Sequence, residues 1–295
     1  MSLFPKNMLF LRILFGFMQK KSYLCKGIPT IYPKRRAMAK KKILFINQEI
    51  SPYMPDNELS LMGHELSRAM QDLGHEIRTF MPKWGTINER RGQLHEVQRL
   101  SGMNLIISDT DHPLIIKVAS IVSSHVAVYF IDNDDYFSKR RQVIDDPGER
   151  AIFFTRGVLE TVKKMRWAPD IIHCQGWMSA SVPFYVKTAY ADEPSFAETK
   201  VVTSLFNELQ PVELGDSFIQ GIAFRDAKPE MLASYGSKLT LEELGKLAID
   251  YSDGVIQAGK NVSATLMKYA ADKNVPLLPY IEDFADAYEE FYEKI

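Results

Sequence analysis

Apolar residues along this chain alternate between a strand-like and a helix-like spacing. Residues 41–47 form an apolar run after a charged start, the pattern of a buried strand. Leu59, Met62, Leu66, Ala69, Met70 and Leu73 follow at helical spacing, and Gly74 stops that helix. Residues 76–81 read as a second strand ended by Pro82, and 105–107, 114–118 and 126–131 as short strands punctuated by turns. A helix is predicted over 149–165, a strand over 170–174 and a helix over 180–190. Residues 200–205 form the next strand, 241–251 a helix, 254–257 a strand and 262–271 a helix. This alternation predicts an α/β protein built on a doubly wound parallel sheet with helices on both faces. Residues 281–292 form an acidic amphipathic helix with Ile281, Phe284, Tyr288 and Phe291 on one face.

Composition leaves that picture intact over most of the chain. The 295 residues are 46% apolar and 25% charged, an ordinary globular balance. The two cysteines, Cys25 and Cys174, build neither a disulfide scaffold nor a Cys-based zinc site, and a reducing cytoplasm fits them. Charge separates the first segment from the rest. Residues 1–37 carry Lys6, Arg12, Lys20, Lys21, Lys26, Lys34, Arg35 and Arg36 and no acid, so the remaining chain is distinctly acidic although the total is only −1. An acidic body argues against nucleic-acid binding. The apolar stretch near residues 9–18 is interrupted by Arg12 and is too short to span a bilayer, so no membrane association is expected. The first Ala-x-Ala, at Ala37 to Ala39, lies too far downstream to serve as its cleavage site. The expected organisation is a basic extension over 1–37 that is disordered or an upstream mis-start, a globular domain over 38–278, and a helical tail over 279–295.

Familiar catalytic motifs fail one by one. Gly254 to Asn261 nearly matches a nucleotide-binding P-loop, but Asn261 lacks the hydroxyl that magnesium needs, and the residues between the glycines read as the strand itself. No Gly-x-Gly and no Gly-x-Ser-x-Gly occurs. His64-Glu65, His75-Glu76 and His95-Glu96 lack the second histidine of a zinc-protease helix and read as solvated or capping residues. Asn261-Val262-Ser263 is a formal glycosylation sequon, irrelevant at a cytosolic helix start. No cofactor or metal is expected.

Three strand ends remain, on the side of such a sheet where ligands bind. They are Ser51 to Glu58, His173 to Ser179 and Thr203 to Glu208. The first occupies a strand-to-helix turn, where a diphosphate would want glycines and a cation. It offers Pro55, Asp56, Asn57 and Glu58, with two carboxylates and no glycine. Packing roles for Trp177 and Phe206, and a turn role for Asn207, are the competing readings.

In order along the chain, these segments resemble the N-terminal domain of bacterial glycogen and starch synthases, retaining glucosyltransferases that use ADP-glucose. The landmarks are Gly74-His75-Glu76-Ile77-Arg78 with Met81-Pro82, Tyr129-Phe130-Ile131-Asp132, Glu149 to Phe154, Pro169 to His173, and Ala248 to Asp253. The resemblance implies a single Rossmann-like unit, the N-terminal half of a GT-B glycosyltransferase. It also implies ligand positions at Ser51, Asp56, Asn57, Glu58, Asp132, His173, Gln175, Trp177 and Asn207. Most of these are altered. The family's Lys-x-Gly-Gly-Leu places Lys on Pro55 and the glycines on Asn57 and Glu58, leaving only Leu59. Its His-x-His-Asp-Trp-His run falls on His173 to Met178 and keeps the first His and the Trp. Its His-Asn pair falls on Phe206-Asn207 and keeps the Asn.

The family's second domain supplies most of the nucleotide site, and this sequence stops where that domain would begin. The expectation is therefore a non-catalytic half-domain of α-glucan metabolism with no catalytic residue of its own. It would bind α-glucan or ADP-glucose weakly, or a protein partner or second copy at a cleft face where Trp177, Met178 and Phe206 are exposed. Alternatively, the tail helix folds back over that face. The rival reading is a glucosyltransferase active only with a second polypeptide. The altered loops disfavour it, because a split enzyme should keep its own catalytic residues.

Overall fold

A computed structural model describes residues 39–138, 146–208 and 212–295. The basic extension over 1–37 lies outside the described residues. Residues 40–295 form one compact unit.

The first strand, β1 (Lys42–Asn47), leads into α1 (Glu58–Asp72) and β2 (Glu76–Pro82). Then come α2 (Glu89–Gly92), β3 (His95–Glu96), β4 (Met103–Ile107), β5 (Thr110–Ser120), β6 (Ala127–Asp132) and α3 (Asp134–Phe137). The long α4 (Pro147–Met165) precedes β7 (Ile171–Gln175), α5 (Val182–Lys187), β8 (Lys200–Leu205), β9 (Glu213–Leu214) and α6 (Asp216–Gly221). The chain continues through β10 (Leu239–Thr240), α7 (Leu241–Asp250), β11 (Gly254–Gln257), α8 (Ala264–Asp272), β12 (Leu277–Leu278) and α9 (Ala285–Lys294).

The main sheet runs β12-β11-β8-β7-β1-β2-β6-β5-β3, parallel from β12 to β6. The predicted alternation and the parallel, helix-flanked sheet are therefore present. One edge departs from it, because β5 runs antiparallel to β6, β4 and β3. β5 turns into β6 through residues 121–126, where the Ile121 amide donates to the Val126 carbonyl at 2.9 Å, and β4 turns into β5 through a two-residue hairpin in which Ser108 and Asp109 both take positive φ, 48° and 62°. That geometry matches the right-handed twist of paired strands. Ser-Asp lacks the glycine that usually announces such a turn.

Parallel strands with helices on both faces must be apolar on both sides, and β1 and β7 meet that demand. Leu44 and Ile46 of β1 and Ile172 and Cys174 of β7 point into the cluster built on Ile152, Phe153, Val158 and Leu159 of α4. Ile43 and Phe45 point the other way, joining Leu66 and Met70 of α1. Asp146 caps α4, its carboxylate accepting from the amides of Gly148 and Glu149 at 2.8 and 3.0 Å.

The α1 side of the sheet is completed by the chain's own end. The predicted tail helix begins later than its periodicity indicates, at Ala285, and buries Tyr288, Glu289, Phe291 and Tyr292. Its aromatic rings join Ile43, Phe45, Leu66 and Ile171. Polar contacts fix the register. Tyr292 Oη meets His173 Nδ1 at 2.5 Å, and His173 Nε2 meets Ser204 Oγ at 2.6 Å. His75 Nδ1 accepts from the Lys41 amide at 3.1 Å, so its proton sits on Nε2, which donates to Glu289 at 3.2 Å. Lys41 pairs with Glu293 at 3.2 Å. The tail thus packs on the sheet face and does not cover Trp177 and Phe206. Its aromatic residues have an unfilled apolar face to bury there.

Two expectations follow from this docking. Tyr292→Phe leaves a buried ring nitrogen of His173 without its partner, a cost of roughly 1–3 kcal/mol, read as a lower midpoint in urea denaturation. Burial also pushes the His173 pKa down from 6.5 to about 3. The unfolded chain then binds a proton that the folded one refuses, so stability falls as pH drops below 6.5 toward 3. The limiting slope from this group is roughly 1.4 kcal/mol per pH unit. Urea midpoints measured across that window should fall with pH, and a flat profile would remove His173 as a stability determinant.

Candidate functional site

Four strands, β1, β7, β8 and β11, deliver their following loops to one side of the sheet, and the loops enclose a cavity of about 340 Å³. Its lining is Gln48, Glu49, Asn57, Glu58, Leu59, Trp177, Phe206, Asn207, Glu208 and Asn261. A neighbouring cavity of about 210 Å³ shares Trp177, Phe206, Asn207 and Glu208 and continues to Leu244, Gly245 and Ala248 of α7.

The turn after β1 is held by its own side chains. Ser51 Oγ donates to Asp56 at 2.7 Å, so these two brace the loop and do not line the cavity. Asn57 is the N-cap of α1: its side-chain oxygen accepts from the Ser60 amide at 2.8 Å, and Ser60 Oγ accepts in return from the Asn57 amide at 3.0 Å. The Asn57 amide group also donates to Glu49 at 2.6 Å. Glu58 stands in the first helical turn, where a carboxylate is favoured by the helix dipole. It reaches over the loop after β11, its Oε2 lying 3.1 Å from where a Cβ on Gly259 would be. The helix N-terminus, the place for a phosphate in such a fold, is therefore occupied by the chain's own cap and carboxylate.

The turn after β7 depends on Gly176. Its φ is +85°, and a Cβ there would stand 2.7 Å from Gln48 Cβ. This places Trp177 half-buried on the cavity wall, while the following 3₁₀ turn, Trp177–Ser179, drives Met178 into the core at 0% exposure. Phe206 is 9% exposed. The expected open apolar face is thus absent among the described residues. The exposed large hydrophobics are Leu61, Ile106, Val122 and Met231, scattered over different elements.

The remaining expected positions divide. Asn57, Glu58, Trp177 and Asn207 come together in the cavity. His173 and Gln175 are fully buried in the sheet, His173 committed to Tyr292 and Ser204. Gln175, paired with Asn47 across β1 and β7, has no hydrogen-bond partner for its side-chain amide among the described residues. Asp132 ends β6, two strands from β1, and is held by Lys117 at 2.7 Å; burial nonetheless raises its pKa.

Glu208 ends the third candidate segment without being one of the expected ligand positions, and Glu49 lies outside all three segments. Burial pushes the Glu208 carboxyl up to about 7, with the charge of Glu49 adding to the effect and the Trp177 amide opposing it. Neither residue carries a motif; only the convergence of two loops brings them together. The cavity lining includes no Lys, Arg or His among the described residues. The nearby Lys260 is engaged by Glu282 at 3.9 Å and by the Tyr280 ring at 5.5 Å.

Comparison with known proteins agrees with the expected kinship. Residues 42–272 match the starch synthase catalytic domain family. The glycogen synthase of Chlorobium limicola is 36% identical over 174 residues, covering 56% of this chain and 36% of that protein. The glycogen synthase of Pelodictyon phaeoclathratiforme is 34% identical over 206 residues, covering 65% and 40%. The chain thus spans well under half the length of these relatives. A solved structure, the catalytic domain of starch synthase IV from Arabidopsis thaliana bound to ADP and acarbose, superposes with a TM-score of 0.66 at 17% identity. It covers 82% of this chain and 52% of that one, and shows the shared fold. No helix among the described residues is long and apolar enough to cross a membrane.

The self-capped loop gives a direct expectation. Asn57→Ala removes the cap on Ser60 and frees Glu49, and should cost about 1 kcal/mol of stability. Amide exchange in the first turn of α1 should accelerate selectively, while exchange in β7 stays protected.

Proposed function

This chain belongs to the starch synthase catalytic domain family, and we propose that within it the chain acts as a saccharide-binding, non-transferring member of α-glucan metabolism. One observation carries this reading. At the helix N-terminus, where a departing diphosphate would need donors and a cation, stand the Asn57 cap and the Glu58 carboxylate.

Glucosyl transfer builds negative charge on the leaving diphosphate, and the groups that stabilise it are usually the largest catalytic contribution. A carboxylate close to that diphosphate opposes it by about 1–4 kcal/mol, depending on the local dielectric. Glu49 and Glu58 add their charges to the same wall, and no cation among the described residues lines it. Losing one preorganised donor already costs about 10²–10³ in rate.

The same cavity suits a sugar ring better than a nucleotide. Trp177, Phe206 and Leu59 provide an apolar surface, and Asn57, Asn207, Asn261 and Gln48 provide amides for hydroxyl groups. A few placed polar groups on an apolar wall are the usual make-up of a small-molecule site. Docking of a protein partner or second copy here lacks the contiguous apolar patch that would favour it.

The test is transfer of radiolabelled glucose from ADP-glucose to glycogen, with the protein in large excess. No incorporation above a boiled control is expected, together with calorimetric binding of a malto-oligosaccharide and none of ADP-glucose. Incorporation that disappears in Asn207→Ala would overturn the non-transferring assignment.

A further inference from the structure

We propose that the cavity between the β1, β7 and β8 loops selects a saccharide bearing a protonated amine over a neutral glucan. This rests on the saccharide-binding reading of the same site and adds the charge of the ligand to it.

The argument begins with an imbalance of charge inside a formed cavity. Glu49, Glu58 and Glu208 share about 340 Å³ with the Trp177 ring, and no basic side chain among the described residues lines that space. Each carboxylate is differently committed. Glu49 accepts one hydrogen bond from Asn57 at 2.6 Å. Glu208 accepts from the Trp177 amide and is held protonated toward neutral pH by burial and by Glu49. Glu58 has no hydrogen-bond or ion-pair partner among the described residues. Lys260, which precedes the lining residue Asn261, is directed to Tyr280 and Glu282.

Such crowding is relieved by a positive group placed between the carboxylates. A bare metal ion fits poorly, because half the wall is apolar or aromatic and hard cations want oxygen on all sides. An ammonium on a sugar ring fits both halves. The ring's apolar face lies against Trp177, the ammonium is attracted to the carboxylates and to the aromatic face, and the amides take the hydroxyl groups. A neutral glucan keeps the stacking and leaves the charge unanswered. ADP-glucose meets repulsion.

The experiment is calorimetry on the full chain in slightly acidic buffer with four probes: a glucosamine trimer, its N-acetylated neutral counterpart, maltotriose and ADP-glucose. The glucosamine trimer should bind about tenfold or more tighter than either neutral trimer, a difference of about 1.4 kcal/mol. Raising salt from about 0.01 M to about 1 M should remove most of that advantage. Glu49→Gln and Glu58→Gln should each shrink the ratio several-fold, with thermal melting to verify that both variants fold; Glu208, held protonated in this buffer, adds no charge to the preference. A ratio near one that ignores salt and both substitutions overturns the amine preference and leaves the saccharide reading standing. Binding of no saccharide, or tightest binding of ADP-glucose, overturns both.

Discussion

Two strands at the centre of this protein, β1 and β7, are apolar on both sides, and everything else is arranged to keep both sides dry. On one side α4 suffices, with Ile152, Phe153, Val158 and Leu159 against Leu44, Ile46 and Ile172. On the other side α1 covers Ile43 and Phe45 only in part, and Tyr288, Phe291 and Tyr292 of the final helix finish the layer. Burial of this kind is the main favourable contribution to folding, and it is non-directional. Direction comes from the polar contacts placed inside it. His173, wedged between Tyr292 and Ser204, and His75, between Lys41 and Glu289, allow the tail one register. A histidine that sequence resemblance assigns to a ligand site thus serves the core, because its strand position points it at the sheet face and away from the loops.

The same strands fix the cavity. Their carboxyl ends set the spacing of the loops after β1, β7, β8 and β11, and short, braced turns leave those loops little freedom. Ser51 to Asp56, Asn57 to Ser60, and Gly176 against Gln48 each close a turn with a contact inside the chain. The helix N-terminus is satisfied from within by Asn57, and Glu58 supplies the anion that its dipole favours. The fold that places phosphate at such a terminus is retained, while the electrostatics there are reversed. Function lives in such sites and not in the fold that carries them.

One half-buried acid sharpens that reversal. Glu208 follows β8, where its neighbours Phe206 and Asn207 also reach the wall, and its carboxyl is raised because burial removes water and Glu49 stands opposite. Like charges in a partly dry cavity are costly unless a proton or a cation answers them. Asp132, by contrast, has Lys117 at 2.7 Å and belongs to an ion network with Glu89 and Lys83 at the other end of the sheet. Burial raises both carboxyls, and only Asp132 has a cation in reach to answer its charge.

Periodicity in the sequence determined the main helices and strands and the parallel centre of the sheet, because a buried strand and an amphipathic helix each leave a repeat that needs no knowledge of neighbours; the kinship came from the ordered landmark residues. It also determined that the turn after β1 lacks glycines and a cation, since residue identities alone say so. Only the tertiary structure decided what lies beside what. The Ser108-Asp109 hairpin turned β4 back on β5 without a glycine to mark it. The 3₁₀ turn after Gly176 buried Met178 and kept Trp177 on the wall. The tail went to the sheet face and left the cavity uncovered, since its aromatic side matched an apolar surface assembled from β1, β7, β8 and α1. Glu49 and Glu208 became neighbours across 159 positions of chain. Burial and charge at such a site are sums over segments remote in sequence, and no local pattern carries them.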